Sequence, residues 1–342
     1  MNSCPTTIDE LDDAITAPSD RLIETIRGIP GEFAILGSGG KMGFHISRML
    51  QRCLQALGRN DRIFTVSRFG SGTVRRQFDD AGFSVIAADL SDPDEVSRLP
   101  QVDNAVFLAG VKFGTGDDSG LLQKMNVECP QLVADHFRNS RFVALSTGCV
   151  YSFTTPKSGG SDEDSATDPP GAYARSCLGR EAAFQNAADQ FGTRSSLVRL
   201  NYSIDLRYGV LLDIARNVML GRPVSVETGY VNVIWQGDAV DHILQSFGLS
   251  AAPPAIVNVT GPDVLSVRNL AERFGSEFGK KVQFEGTESD SAWLNNASRS
   301  HRIFGLPRVS IDQMVSWTAE WLRAGGDTID KPTHFEVRSG KY

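Results

Sequence analysis

The chain has 342 residues, 41% hydrophobic and 22% charged, and its 34 basic and 41 acidic side chains give a formal net charge of −7. This composition excludes wholesale disorder, and the length, near that of two average domains, provides for a large buried core. The acidic balance lacks the basic footprint of a nucleic-acid binder, and the longest apolar stretches, such as 104–111, fall far short of the ~20 residues of a membrane span.

Along the chain, Leu11, Ile15, Leu22 and Ile26 recur among acids in residues 1–30. This predicts short amphipathic helices, divided by Pro18, ended by Pro30-Gly31 and packed on the domain behind them. An acidic N-terminus unlike a secretory leader makes a cytoplasmic location the expectation. Residues 33–36 read as an apolar strand entering glycines, and Phe44, Ile46, Met49, Leu50 and Leu54 mark a helix over 42–57. Strands at 62–66, 84–87, 105–109 and 141–145 then alternate with helices at 73–81, 94–99 and 121–137. Elements of this length predict right-handed crossovers and an α/β fold of Rossmann type, a doubly wound parallel sheet covered on both faces.

Residues 154–171, rich in Ser, Thr, Asp, Pro and Gly, predict a surface segment beside a site. A helix over 173–191 and a strand over 196–200 resume the pattern. Short strands at 224–226, 232–235 and 256–259 follow among helices at 213–220, 238–249 and 267–278, with a last helix at 311–323. The expected organisation is a helical extension (1–30), the Rossmann unit (31–200), a smaller C-terminal unit (201–323) with segments returning to the sheet, and a polar tail (324–342). Cys4, Cys53, Cys129, Cys149 and Cys177 are odd in number and contain no C-x-x-C pair, so neither disulfides nor structural zinc are expected. His45, His136, His242, His301 and His334 have no metal-ligand spacing, and no metal is assigned.

The segment Gly37-Ser38-Gly39-Gly40-Lys41-Met42-Gly43 contains G-x-x-G-x-x-G. Gly37 allows a tight turn, Gly40 lets the backbone approach a pyrophosphate, and Gly43 lets helix and strand pack closely. With 33 glycines in the chain the string alone is weak; its place between the first strand and an amphipathic helix gives it weight. After the second strand, where an acid would bind the ribose of NAD, stands Ser67-Arg68, and a cation there suits the 2′-phosphate of NADP. Lys41 adds a second charge toward the same phosphate. Asp89-Leu90, after the third strand, is placed to meet the adenine edge.

With these features the chain resembles the extended short-chain dehydrogenase/reductases, the family of NAD-dependent epimerases and dehydratases, over residues 32–321. Further motifs carry the resemblance: Leu108-Ala109-Gly110, Asn126-Val127, Ser146-Thr147-Gly148-Cys149-Val150-Tyr151, Tyr173, Val198-Arg199-Leu200-Asn201-Tyr202, Asp238-Ala239 and Asn258-Val259-Thr260-Gly261. The resemblance implies a smaller C-terminal domain that binds substrate, NADP or NAD as cofactor, and Ala109 and Gly110 in the cofactor cleft. It makes Ser146 or Thr147 the hydrogen-bonding partner of the reacting oxygen and Tyr173 the acid/base. It also implies a homodimer joined through a helical face of the Rossmann unit.

Two departures stand out. The resemblance predicts Tyr-x-x-x-Lys, but the chain reads Tyr173-Ala174-Arg175-Ser176-Cys177, and a neutral thiol occupies the lysine's place. Ionising an unassisted phenol at neutral pH costs ~4 kcal/mol, about a thousandfold in rate; Lys112 and Arg175 are the candidate substitutes. Members that take nucleotide sugars carry an arginine shortly before the aspartate matching Asp238, whereas residues 229–235 here hold no cation. A sugar or sugar acid without a nucleotide is therefore the expected substrate, met by Tyr230 and Asn232, with Trp235 either stacking on it or packing in the core. The expected activity is an NAD(P)-dependent oxidoreductase or epimerase/dehydratase; the alternative is a dinucleotide-binding sensor or scaffold that has lost the chemistry.

Overall fold

The structure, a computed structural model, describes residues 3–112, 119–329 and 331–339. Its centre is a sheet of β1 (Phe33–Leu36), β2 (Ile63–Ser67), β3 (Ser84–Ala87), β4 (Asn104–Phe107), β5 (Arg141–Thr147), β6 (Ser195–Leu200) and β7 (Ala255–Val259). The strands run in the order β7-β6-β5-β4-β1-β2-β3, and all pairs are parallel. Alternate side chains enter opposite cores, as the period of two requires. Phe33, Ile35, Val106, Val143 and Val198 face one side, with Ile46, Met49 and Leu50 of α3 (Gly43–Ala56). Ala34, Leu36, Phe107, Phe142 and Leu197 face the other, with Val133 of α7 (Cys129–His136) and Phe184 of α8 (Ala172–Phe191). Strand order reverses between β1 and β4, so a crevice opens beyond their carboxyl ends.

The N-terminal extension reaches further than expected. α1 (Ile8–Ile15) and α2 (Asp20–Arg27) start at Thr7 and Ser19, whose hydroxyls accept from Glu10 N and Leu22 N. Leu22 and Ile26 join the sheet's core, but Leu11 and Ile15 join a separate core with Trp235, Phe274 and Trp317. This second core belongs to the C-terminal unit and packs α9 (Val210–Met219), α11 (Val267–Phe278) and α13 (Ile311–Arg323). The returning segment is α10 (Gln236–Gln245), whose Val240, Ile243 and Leu244 pack on the sheet.

The helix expected over 121–137 is interrupted: Ser119–Gln123 gives way to a π-helical turn at Lys124–Glu128 before α7. Pro130 explains the break, since it brings no N–H and its ring clashes with the carbonyl four residues back. The strand expected at 232–235 becomes two, Tyr230–Val231 and Ile234–Trp235. Between them the Asn232 side chain donates to Asp263 O and accepts from Asn295 N. Within the tail, Phe335 enters the C-terminal core, Thr333 N and Oγ1 donate to Asp213, and Arg338 donates to Ser291. All five cysteines are free, and no helix among the described residues is long and apolar enough to cross a membrane.

Candidate active site

Register sets the crevice, because Leu36 pairs with both Val66 and Phe107 and the loops that follow meet above the sheet. Gly37 turns with φ +90°, and a Cβ on it would lie 2.6 Å from Ala109 N. A Cβ on Gly43, at the start of α3, would collide with Ser38 O, so this glycine serves helix and strand packing. Gly40 meets only Gly37 O at 3.4 Å and leaves the loop open to the cleft. No side chain caps α3 at Met42, and Gly43 N donates to Gly40 O within the loop at 3.2 Å.

Three contiguous cavities form the cleft and share Gly110. One, of about 660 Å³, is lined by Gly37, Gly40, Ser67, Arg68, Asp89, Leu90, Ala109 and Gly110. The structure thus brings the residues expected at the adenosine end to one wall. Arg68 Nη1 stands 3.8 Å from Asp89 Oδ2. Burial pushes the Asp89 carboxyl up, but hydrogen bonds from Ser91 and the charges of Arg68 and Lys124 carry it below its ordinary value. Lys41 turns elsewhere: its ammonium lies 3.6 Å over the Tyr208 ring, in the other two cavities. Loss of solvation there pulls its pKa down to about 8, with Asp205 opposing. The residue as a whole is exposed, so water in the open cleft moderates that pull.

The last cavity, about 350 Å³, collects Lys41, Met42, Gly110, Lys112, Ser146, Thr147, Tyr173 and Arg180. Ser146 and Thr147 end β5 and Tyr173 opens α8, which the positive φ of Gly171 (+85°) allows to start sharply. Ser146 Oγ donates to Glu181 Oε1 at 2.6 Å, and Thr147 Oγ1 accepts from Cys149 N at 3.2 Å. Glu181 also holds Arg199 through two bonds of 3.0 and 2.7 Å. Arg199 in turn donates to Tyr151 OH at 2.8 Å, and that hydroxyl donates to Asn258 at 2.9 Å. Sequence reasoning missed this buried ladder. Its signal was Arg180-Glu181, two charges seven and eight residues after Tyr173 on nearly the same helical face.

The surroundings of Tyr173 do not activate its phenol. Burial pushes its pKa well above the ordinary value, the Cys177 thiol pushes the same way, and Arg180 opposes. Of the two candidate cations, Lys112 Nζ lies 5.7 Å from the centre of the Tyr173 ring, whereas Arg175 is exposed and outside this cavity. Burial lowers the Lys112 pKa, and the Cys149 and Cys177 thiols oppose it. Tyr202 also lines the cavity, at φ +38°. One expected substrate contact is corrected, since Asn232 is buried in backbone contacts, and of the two alternatives for Trp235 the structure shows the core one, 5.6 Å from Trp317. Among the described residues no group of three or more His, Cys, Asp or Glu could hold a metal ion.

The family model described as "NAD dependent epimerase/dehydratase family" matches residues 33–204, half of the chain. No curated protein matches. Among solved structures, the chain is similar to Pal from Bacillus thuringiensis (17% identity, TM-score 0.70, 86% of this chain and 99% of that one). It is similar to the UDP-glucose 4-epimerase of Thermus thermophilus in complex with NAD (18%, TM-score 0.68, 85% and 99%). It is also similar to the dTDP-glucose 4,6-dehydratase of Streptomyces venezuelae with NAD bound (19%, TM-score 0.71, 85% and 97%). At these identities the likeness is one of fold.

Proposed function

Since the chain belongs to the NAD-dependent epimerase/dehydratase family, we propose that it is an NADP- or NAD-dependent oxidoreductase or epimerase/dehydratase acting on a hydroxyl of a sugar or sugar acid that carries no nucleotide. The carrying observation is that Tyr173, Ser146 and Thr147 share one cavity with Lys41 and Met42 of the glycine loop. The cleft fits a dinucleotide: Gly37 and Gly110 stand where a Cβ would strike a neighbour, and the start of α3 is uncapped. Held there, a nicotinamide cofactor would supply hydride acceptance and return at the substrate carbon.

The chain's own residues do the rest. Thr147 and Ser146 orient the reacting oxygen, Ser146 with its hydroxyl released from Glu181, and Tyr173 moves the proton between its phenol oxygen and that oxygen. Ser67 and Arg68 hold the adenosine ribose, with the guanidinium suited to a 2′-phosphate. Against a nucleotide substrate, the segment before Asp238 offers no cation: Val231, Ile234 and Trp235 in it are fully buried and apolar.

Incubation of the purified protein with NADP or NAD and a panel of sugars, sugar acids and nucleotide sugars tests this reading, with Tyr173→Phe expected to lose at least about a hundredfold in turnover. Full turnover in that variant, or turnover confined to nucleotide sugars, would refute it. A second reading, a dinucleotide-binding sensor, is favoured by the raised pKa of Tyr173 beside Cys177. It predicts tight NADP binding with no hydride transfer across the panel.

A further inference from the structure

The missing lysine leaves open which charge faces the phenol. Two features of Arg180 answer this. First, it is 6% exposed and forms no ion pair among the described residues, because the adjacent Glu181 is committed to Arg199 and Ser146. Its Nη1 donates to Leu145 O at 2.9 Å and its Nη2 to Asn126 Oδ1 at 2.9 Å, while Nε has no acceptor. A buried cation without a counter-ion is costly, which marks its charge as directed at something outside the resting protein or formed only during reaction. Second, the guanidinium lies directly under the cleft floor, for a Cβ on Gly110 would collide with Nη2. Gly110 is common to all three cavities, and Arg180 lines the one that holds Tyr173.

We infer that Arg180, reaching the cleft floor from a position seven residues along α8 from Tyr173, supplies the positive charge that stabilises the Tyr173 phenolate in place of a lysine at position 177. The inference rests on the reading of Tyr173 as the acid/base. When the phenol gives its proton to the substrate oxygen, the negative charge left on the tyrosine oxygen lies in the cavity that Arg180 also lines; when the proton returns, the charge is discharged. Arg180 does not touch the reacting atoms and is a positioning residue acting through Tyr173. The other groups around the phenol are the thiols of Cys177 on the same helix, which burial keeps protonated, and of Cys149 beyond β5, and Lys112 beyond β4. Lys112 is the weaker candidate, because its ammonium lies over the ring and burial favours its neutral form, whereas a guanidinium stays charged throughout. The arrangement also gives Gly110 a reason beyond room for a ligand: any side chain there would displace the arginine.

The test reads the ionisation of Tyr173 directly. Near-ultraviolet phenolate absorbance after a rapid pH jump, taken as the difference between each protein and its Tyr173→Phe counterpart, isolates this tyrosine before unfolding intervenes. Arg180→Met and Arg180→Gln should move its titration upward by about one pH unit or more. Arg180→Lys should hold the parent value, and Arg180→Met with Cys177→Lys should restore it from the position the family uses. Arg180→Gln retains a hydrogen-bond donor for Leu145 O and keeps the test open if the methionine variant does not fold. A titration unchanged in a folded Arg180→Gln protein overturns the inference, as does a shift produced by Lys112→Met alone. Either result leaves the proposed function standing. Undiminished turnover in Tyr173→Phe sinks that function instead and leaves the titration interpretable.

Discussion

At the scale of single residues, Tyr173 and His242 set opposite pH behaviours. Burial and the Cys177 thiol raise the Tyr173 pKa well above its ordinary value, so the phenol holds its proton at neutral pH. It is then ready to donate in the reducing direction but must first ionise to accept a proton in the oxidising one. Substrate oxidation should therefore accelerate with rising pH well beyond neutrality, while carbonyl reduction stays flat; initial rates in both directions across pH check this. His242 is pulled down to about 3 from 6.5, by burial first and then by the charges of His301 and Arg308. The unfolded chain thus binds the extra proton between these values. Stability is full above about pH 6.5 and declines as pH falls toward 3. Replacing His242 with leucine should flatten that acid decline in denaturant titrations; an unchanged slope would assign the acid sensitivity to other groups.

At the scale of elements, the alternating pattern from β1 to α8 was legible because the central strands β1 and β4 are buried throughout and helices such as α3 have one apolar stripe, so the two periods separate. The glycine loop was legible for the same reason, lying between a strand and a helix. The direction of Lys41 was not: nothing in its neighbours announces a tyrosine ring supplied by residue 208, far along the chain. Nor was the ladder from Ser146 through Glu181 to Arg199, which joins β5, α8 and β6 and exists only once these are side by side. The break before α7 was written in Pro130 but masked by the apolar periodicity around it. The reach of α1 was hidden as well, since amphipathicity shows that a helix packs without showing against what. That reach is testable: Leu11, fully buried in the C-terminal core, should cost about 2–5 kcal/mol when truncated to alanine, measured as a lower denaturant midpoint. An effect below about 0.5 kcal/mol would mean α1 is not docked there.

For the whole molecule, the cleft makes stability depend on what fills it. A ligand bound only by the folded state at a hundred times its Kd adds ~2.7 kcal/mol. NADP should therefore raise the melting temperature more than NAD at equal concentration, and Arg68→Ser should erase the difference; equal shifts in the parent protein would remove Arg68 from cofactor selection. The two-footed arm formed by α1 and α2 has a consequence of another kind. With one foot in each core, neither half can melt without pulling an anchor from the other. Scanning calorimetry should record one endotherm for the intact chain and two after the first foot is cut away, which would make this short segment the source of the protein's cooperativity.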